Sequence, residues 1–265
     1  VSESISESIS ESSSESSSES SSESIGESMS ESIGESATAV GGVERVRILA
    51  VDTTGEIGSI ALLENERLVE QVQLEAPDGF SQILFQEIQA MLERQGLGFG
   101  DVDVFASAAG PGSFTGVRIG LTAVKGLAEA TGGKVAAISN LQAMAWFGAG
   151  ALRAPVMDAR RGEIYGAVYD ASLQVAAGET AGAEIVNKLE LWLADVMPLS
   201  PEFLAFENGI ALPDELKVTW VPRAIASAIG QIAYQRWLRG ELQDPVEIDA
   251  NYVRRSDAEL FWKEA

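Results

Sequence analysis

The residues best suited to hold an anion are Gly110-Pro111-Gly112-Ser113-Phe114-Thr115-Gly116-Val117-Arg118, which leave an apolar run and enter a stretch of helical spacing. Backbone amides at a helix N-terminus favour a phosphate or carboxylate, and glycine lets a ligand come close to the chain. This is not a Walker loop, because no Lys-Ser or Lys-Thr follows the glycines. Nor does it fit GxGxxG, since Thr115 holds the third glycine position. The bland use of such a segment is a tight strand-to-helix connection, and composition alone favours that use.

Carboxylates offer a second kind of chemistry. Asp52 and Asp158 close predicted strands beside polar turns, where a nucleotide cleft would place acids near magnesium and phosphate. Asp52, Thr53 and Thr54 with Gly112, Ser113 and Thr115 are therefore the candidate nucleotide or anion set. The commoner use of such an Asp is to cap its own turn, and a second-domain adenosine loop has only Asn208-Gly209 to support it. Composition removes other options. With no Cys and no His among 265 residues, there is no disulfide frame, thiolate nucleophile, Ser-His-Asp triad or imidazole metal ligand. No metal site is expected, and any catalysis would fall to carboxylates, Lys, Arg, hydroxyls or backbone amides.

The elements that must position these residues are legible from Val46 onward. Three meandering strands are predicted over 46–52, 57–63 and 67–74, from apolar runs broken by polar turns. Phe80, Ile83, Leu84, Ile88, Met91 and Leu92 then recur at helical spacing. A strand over 102–109, the loop at 110–116, a helix over 117–131 stopped by Gly132-Gly133 and a strand over 134–138 complete a βββαβαβ order. Ser139 and Gln142 form a capping box for a helix through Met144 and Trp146. The second half repeats the opening pattern: a strand over 154–157 closed by Asp158, a turn over 159–162 and a returning strand over 163–169. A helix over 185–197, strands over 203–206 and 218–221, and a helix from Pro222 to Gly240 follow. Gly116, Gly120, Ala123 and Gly126 line one side of the 117–131 helix. They imply close packing there, against either the sheet or a partner.

Charge is unevenly spread. Residues 1–36 are nine copies of a tetrapeptide ending in Glu-Ser, carrying nine of the 40 acids and none of the 18 bases. So polar a repeat cannot offset the entropy of ordering, and 1–42 is expected to be a disordered acidic tail. Val43 and Val46, just before the first strand, are candidate true starts, with the repeat then no part of the product. The remaining 229 residues bear a net charge near −13, which repels a phosphate backbone and disfavours autonomous nucleic-acid binding. Size and apolar content allow one large or two modest domains, and the repeated opening pattern favours two, with subdomains over 43–138 and 139–265. No stretch reads as membrane-spanning, and a cytoplasmic location is expected.

Four segments together resemble a known family. They are Ile48 to Asp52 with Thr53-Thr54, the Gly110 to Gly120 loop, Asp158-Ala159-Arg160-Arg161-Gly162-Glu163-Ile164-Tyr165, and Tyr252-Val253-Arg254. The chain is similar, from Val46 to Arg255, to the TsaB (YeaZ) family of bacterial tRNA threonylcarbamoyladenosine biosynthesis. The resemblance implies an α/β, actin-like (ASKHA) fold of two ribonuclease-H-like subdomains. It also implies a non-catalytic dimerisation subunit for the complex that transfers threonylcarbamoyl to the adenosine beside the tRNA anticodon. The implied partners are the catalytic subunit TsaD and the ATPase subunit TsaE, which would hold the ATP and the metal, with no cofactor in this chain and tRNA met only through the complex. A homodimer is left open. The family pairs through helices corresponding to 80–94 and 117–131, which nominates Phe80, Leu84, Ile88, Met91, Arg118, Gly120 and Ala123 as the partner interface. The catalytic relative's metal-binding His pair falls at Asn140 and Met144, neither of which can replace an imidazole. Two positions depart from the family pattern: Phe80-Ser81-Gln82 replaces a His-Ser-Glu run, and Ala250 replaces a Pro. The alternative reading is a self-sufficient actin-like ATPase or kinase using Asp52 and the Gly110 to Gly116 loop.

Overall fold

A computed structural model describes residues 45–176 and 183–253; the expectations for 1–42, and for Arg254 and Arg255, lie outside the described residues. The first half runs β1 (Arg47–Asp52), β2 (Ile57–Glu64), β3 (Arg67–Glu75), α1 (Leu84–Arg94), β4 (Val104–Ala108), α2 (Phe114–Thr131) and β5 (Lys134–Ile138). The second runs α3 (Asn140–Ala145), β6 (Leu152–Arg160), β7 (Glu163–Gly166), β8 (Tyr169–Asp170), β9 (Ile185–Lys188), α4 (Leu189–Val196), β10 (Glu202–Phe206), β11 (Val218–Val221) and α5 (Ala226–Arg239).

Each half builds a mixed sheet with the same wiring. In the first, the order is β3-β2-β1-β4-β5, with β1 antiparallel to β2 and parallel to β4. In the second it is β9-β7-β6-β10-β11, with β6 antiparallel to β7 and parallel to β10. Counting main-path strands from the start of each half gives 3-2-1-4-5 both times. This is the duplicated ribonuclease-H-like arrangement of an actin-like fold.

Alternation along β1 sends Ile48 and Ala50 to one face and Leu49 and Val51 to the other, and all four are fully buried. Both faces must therefore be covered. Leu49 and Val51 join a core with Leu84, Ile88 and Met91 of α1 and Val117, Leu121 and Val124 of α2. Ile48 and Ala50 join a second core with Leu141 and Met144 of α3, Ala226, Ile229 and Ala233 of α5, and Tyr169 and Leu204 from the other sheet. Trp192 and Val196 of α4 close a third core over Ala154, Val156 and Phe203. Helices α3 and α5, both from the second half, thus share a core with the first sheet. Ser59 Oγ accepts from Ala226 N at 3.0 Å at the start of α5.

Several elements differ from the sequence-based expectation: the strand expected over 154–157 runs over Leu152–Arg160 with Asp158 paired to Ile164, the helix expected from Pro222 begins at Ala226, and three further elements change. The helix expected over 185–197 is divided. Ile185–Lys188 pairs antiparallel with β7, Val186 opposite Tyr165, and only then does α4 begin, because an open sheet edge supplies backbone partners that helix propensity alone does not foresee. The returning strand over 163–169 breaks after Gly166: β7 stays on β6 beside Asp158, whereas Tyr169 pairs with Arg153. Helix α2 begins at Phe114, three residues early, because Ser113 caps it.

Candidate functional site

Of the predicted anion set, Asp52, Thr53, Thr54, Gly112 and Ser113 lie together around the turn after β1. Asp52 is 3 % exposed, and its Oδ1 accepts from Thr54 N at 2.9 Å and Thr54 Oγ1 at 2.6 Å. Asn140 Nδ2 donates to Thr54 Oγ1 at 2.5 Å, while Asn140 Oδ1 accepts from Gly110 N at 3.0 Å. Thr53 Oγ1 donates to Gly116 O at 2.7 Å, and Ser113 N to Thr54 O at 2.8 Å. Burial pushes the Asp52 carboxyl above its ordinary value, opposed by the hydrogen bonds from Thr54 and Asn140.

Within this cluster the glycines let two stretches of chain touch. A Cβ on Gly116 would sit 1.9 Å from Thr53 O, one on Gly112 would be 2.9 Å from Thr54 Cβ, and one on Gly120 would be 2.7 Å from Ser107 Oγ and 2.8 Å from Thr53 Oγ1. The flank where a phosphate would exploit a missing side chain is filled by Thr53 and Thr54. Ser113 caps α2 by accepting from Gly116 N at 3.3 Å, and Thr115 is exposed in the first turn of the helix. Asp158 is exposed and accepts from Arg160 N at 2.8 Å, capping its own turn. The two Asp-bearing turns approach through Arg160 and Glu56, 3.8 Å apart, and both of these side chains are well exposed. Among the described residues, no group of three or more His, Cys, Asp or Glu is placed to hold a metal ion.

The interface set divides differently. Phe80, Leu84, Ile88, Met91 and Ala123 are 6 % exposed or less, and Gly120 is buried, so six of the seven residues belong to the chain's own core. A Cβ on Gly58 would meet the Phe80 ring at 2.7 Å, so Phe80 packs over β2. Arg118 alone is exposed. The outward positions of the same two helices are Phe85, half exposed, and Phe114, 39 % exposed, with Ile119 and Thr122 beside them. With Arg118 they line a groove of about 450 Å³ between α1 and α2, with Leu84 and Ala123 at its floor.

Aromatic stacking closes one end of this groove. The Arg118 guanidinium lies 3.9 Å from the Phe114 ring centroid, and Tyr252 packs on Phe114 at 5.1 Å. Arg118 Nε also donates to Tyr252 Oη at 3.2 Å. Sequence reasoning passed over Phe85 and Phe114 because it sought the regular apolar stripe, which marks the face turned inward. The available signal was a large aromatic residue off that stripe and followed by a polar one, Gln86 or Thr115.

A family model described as TsaD, tRNA N6-adenosine threonylcarbamoyltransferase, matches residues 73–254. The tRNA threonylcarbamoyladenosine biosynthesis protein TsaB of Escherichia coli (strain K12) is 38 % identical over 169 residues, covering 62 % of this chain and 72 % of the relative. The chain belongs to the TsaB family.

Another TsaB, from Bacillus subtilis (strain 168), is 33 % identical over 124 residues, 46 % of this chain and 54 % of that protein. YeaZ from Pseudomonas aeruginosa superposes with a TM-score of 0.61 at 25 % identity, over 78 % of this chain and 99 % of that one. The TsaB likeness thus joins sequence and fold. Among the described residues of this TsaB-family chain, no helix is long and apolar enough to cross a membrane.

Proposed function

We propose that this chain is a non-catalytic subunit of the assembly that places threonylcarbamoyl on the tRNA adenosine beside the anticodon, and that it docks its catalytic partner through the groove between α1 and α2. The groove is the observation that carries this reading: two large aromatic rings stand in solvent on adjacent helices, rimmed by an arginine. An apolar patch of that kind marks an association surface. The absence of His and Cys from the whole chain supports an accessory role. So does the turn at Asp52, where Asp52 Oδ1, Thr53 Oγ1 and Thr54 Oγ1 are hydrogen-bonded within the chain. Asn140 and Met144, aligned with the catalytic relative's metal-binding pair, are buried in the core.

A related catalytic actin-like subunit and an ATPase subunit are the partners in this reading, with tRNA reached through them. Reconstitution tests it. Threonylcarbamoyladenosine formed on tRNA only when the chain from Val43 onward is added to the other subunits supports the accessory role. Undiminished product without it removes that role. Magnesium-ATP binding by the isolated chain, abolished by Asp52→Ala, would instead favour a self-sufficient ATPase.

A further inference from the structure

The last described residues end at the rim of the groove. Tyr252 is stacked on Phe114 and hydrogen-bonded to Arg118, and both of these residues line it. The sequence continues for twelve residues beyond Val253, as Arg254-Arg255-Ser256-Asp257-Ala258-Glu259-Leu260-Phe261-Trp262-Lys263-Glu264-Ala265, with three consecutive large apolar side chains among charged neighbours.

We propose that Leu260-Phe261-Trp262 dock in cis into the groove between α1 and α2, so that this C-terminal segment competes with the partner subunit for the same apolar surface. Competition rests on the groove being the partner-docking site; cis docking itself does not.

Reach and concentration both favour the intramolecular occupant. From Phe114 to Thr122 the groove follows about 12 Å of α2, at roughly 1.5 Å per residue. The eight residue-to-residue steps from Val253 to Phe261 span up to about 26–29 Å when extended. So short a tether gives an effective concentration in the millimolar range, far above that of any separate chain carrying the same motif. Arg118 and Phe114 hold Tyr252 at the groove, two residues before the segment begins. The stack thus has a role that the partner surface alone does not explain: it anchors the occupant of the adjacent site.

The chain contains no cysteine, which permits a direct test in the full-length protein. Thr122→Cys combined with Phe261→Cys places one thiol in the groove and one on the segment. Leu191→Cys, at an exposed position of α4, combined with Phe261→Cys, is the control. Under mild oxidation the groove pair should form an intramolecular disulfide at least ten times faster than the control. Replacing both Leu260 and Trp262 by Ser should remove that advantage. Equal rates for the two pairs would overturn cis docking. So would a concentration-dependent disulfide between two chains, which would assign the groove to a second copy.

The oxidised groove pair should then bind the catalytic subunit at least ten-fold more weakly than its reduced form, and equal binding would overturn the competition. If the unmodified chain fails to bind the catalytic subunit while the intramolecular disulfide still forms, the docking function falls and cis docking stands.

Discussion

Asn140 and Thr54, 86 positions apart, are joined by a buried hydrogen bond of 2.5 Å from Asn140 Nδ2 to Thr54 Oγ1. The same asparagine accepts from Gly110 N at 3.0 Å and donates its own backbone N–H to Gly110 O at 2.9 Å. One side chain at the head of α3 therefore ties together the turn after β1 and the start of the glycine loop.

Asn140→Ala is expected to strand the Gly110 N–H and remove a donor from Thr54, at a cost of about 1–3 kcal/mol for buried groups left unpaired. Urea unfolding should show a lower midpoint with an unchanged slope. An undisturbed midpoint would mean that solvent replaces the amide and that the junction is looser than the geometry indicates.

Asp52→Asn separates the hydrogen-bonding role of this side chain from its charge. Because burial raises the folded-state pKa above the unfolded value, the native state holds its proton more tightly. The group's contribution to stability is full below the unfolded pKa and declines as pH rises toward the folded one. The asparagine can still accept from Thr54 but does not ionise. The stability difference, variant minus parent, should increase with pH above about 4, the unfolded carboxylate range. A difference that is flat from pH 4 to 8 would contradict the raised pKa.

Gly116→Ala and Gly126→Ala make opposite predictions on one helix. At Gly116 the new methyl would lie 1.9 Å from Thr53 O, so the loop must move, and a loss of about 1–3 kcal/mol or more is expected. Nothing lies within 4 Å of a Cβ on Gly126, and alanine should stabilise α2 there by up to about 1 kcal/mol. Thermal melts of the two variants should shift in opposite directions.

Tyr169 is 2 % exposed and donates to Glu184, whose other oxygen accepts from Asn251 Nδ2 at 2.5 Å. Burial and the adjacent Glu184 carboxylate push its phenol well above the ordinary tyrosine value. In an ultraviolet titration of the four tyrosines, Tyr169 should remain un-ionised until the protein unfolds at alkaline pH. Tyr169→Phe should leave the pre-unfolding titration curve unchanged, whereas a missing step would place the Tyr169 phenol within reach of hydroxide.

Phe85→Asp puts a charge into the groove at a half-exposed position that supports no core. It should reduce co-elution with the catalytic subunit at least ten-fold while moving the melting temperature by no more than a degree or two, as surface substitutions do. Gly120→Leu would confuse these effects, since its side chain must displace Ser107 and Thr53 inside the monomer. Retained co-elution of Phe85→Asp would remove α1 and α2 as the docking face.

By itself the sequence determined the elements whose signals are local. The apolar runs broken by polar turns in 46–74, the stop at Gly132 and the glycine-rich connection between β4 and α2 each depend on residues a few positions apart. The family was also legible there, because its motifs are contiguous. What the sequence did not determine was which face of each helix stays wet. Leu84, Ile88 and Met91 form the regular stripe that marks burial of some kind, but a sheet of the same chain and a separate partner both satisfy that stripe. Only the tertiary structure decided that these residues cover the first sheet and that Phe85 and Phe114 stand outside it. Likewise, glycine at 112 and 116 announced a close approach without naming what approaches. Contacts across 63 positions, such as Thr53 to Gly116, filled that space with protein, because a missing Cβ leaves room equally for a ligand or for another backbone, and only the packed fold selects between them.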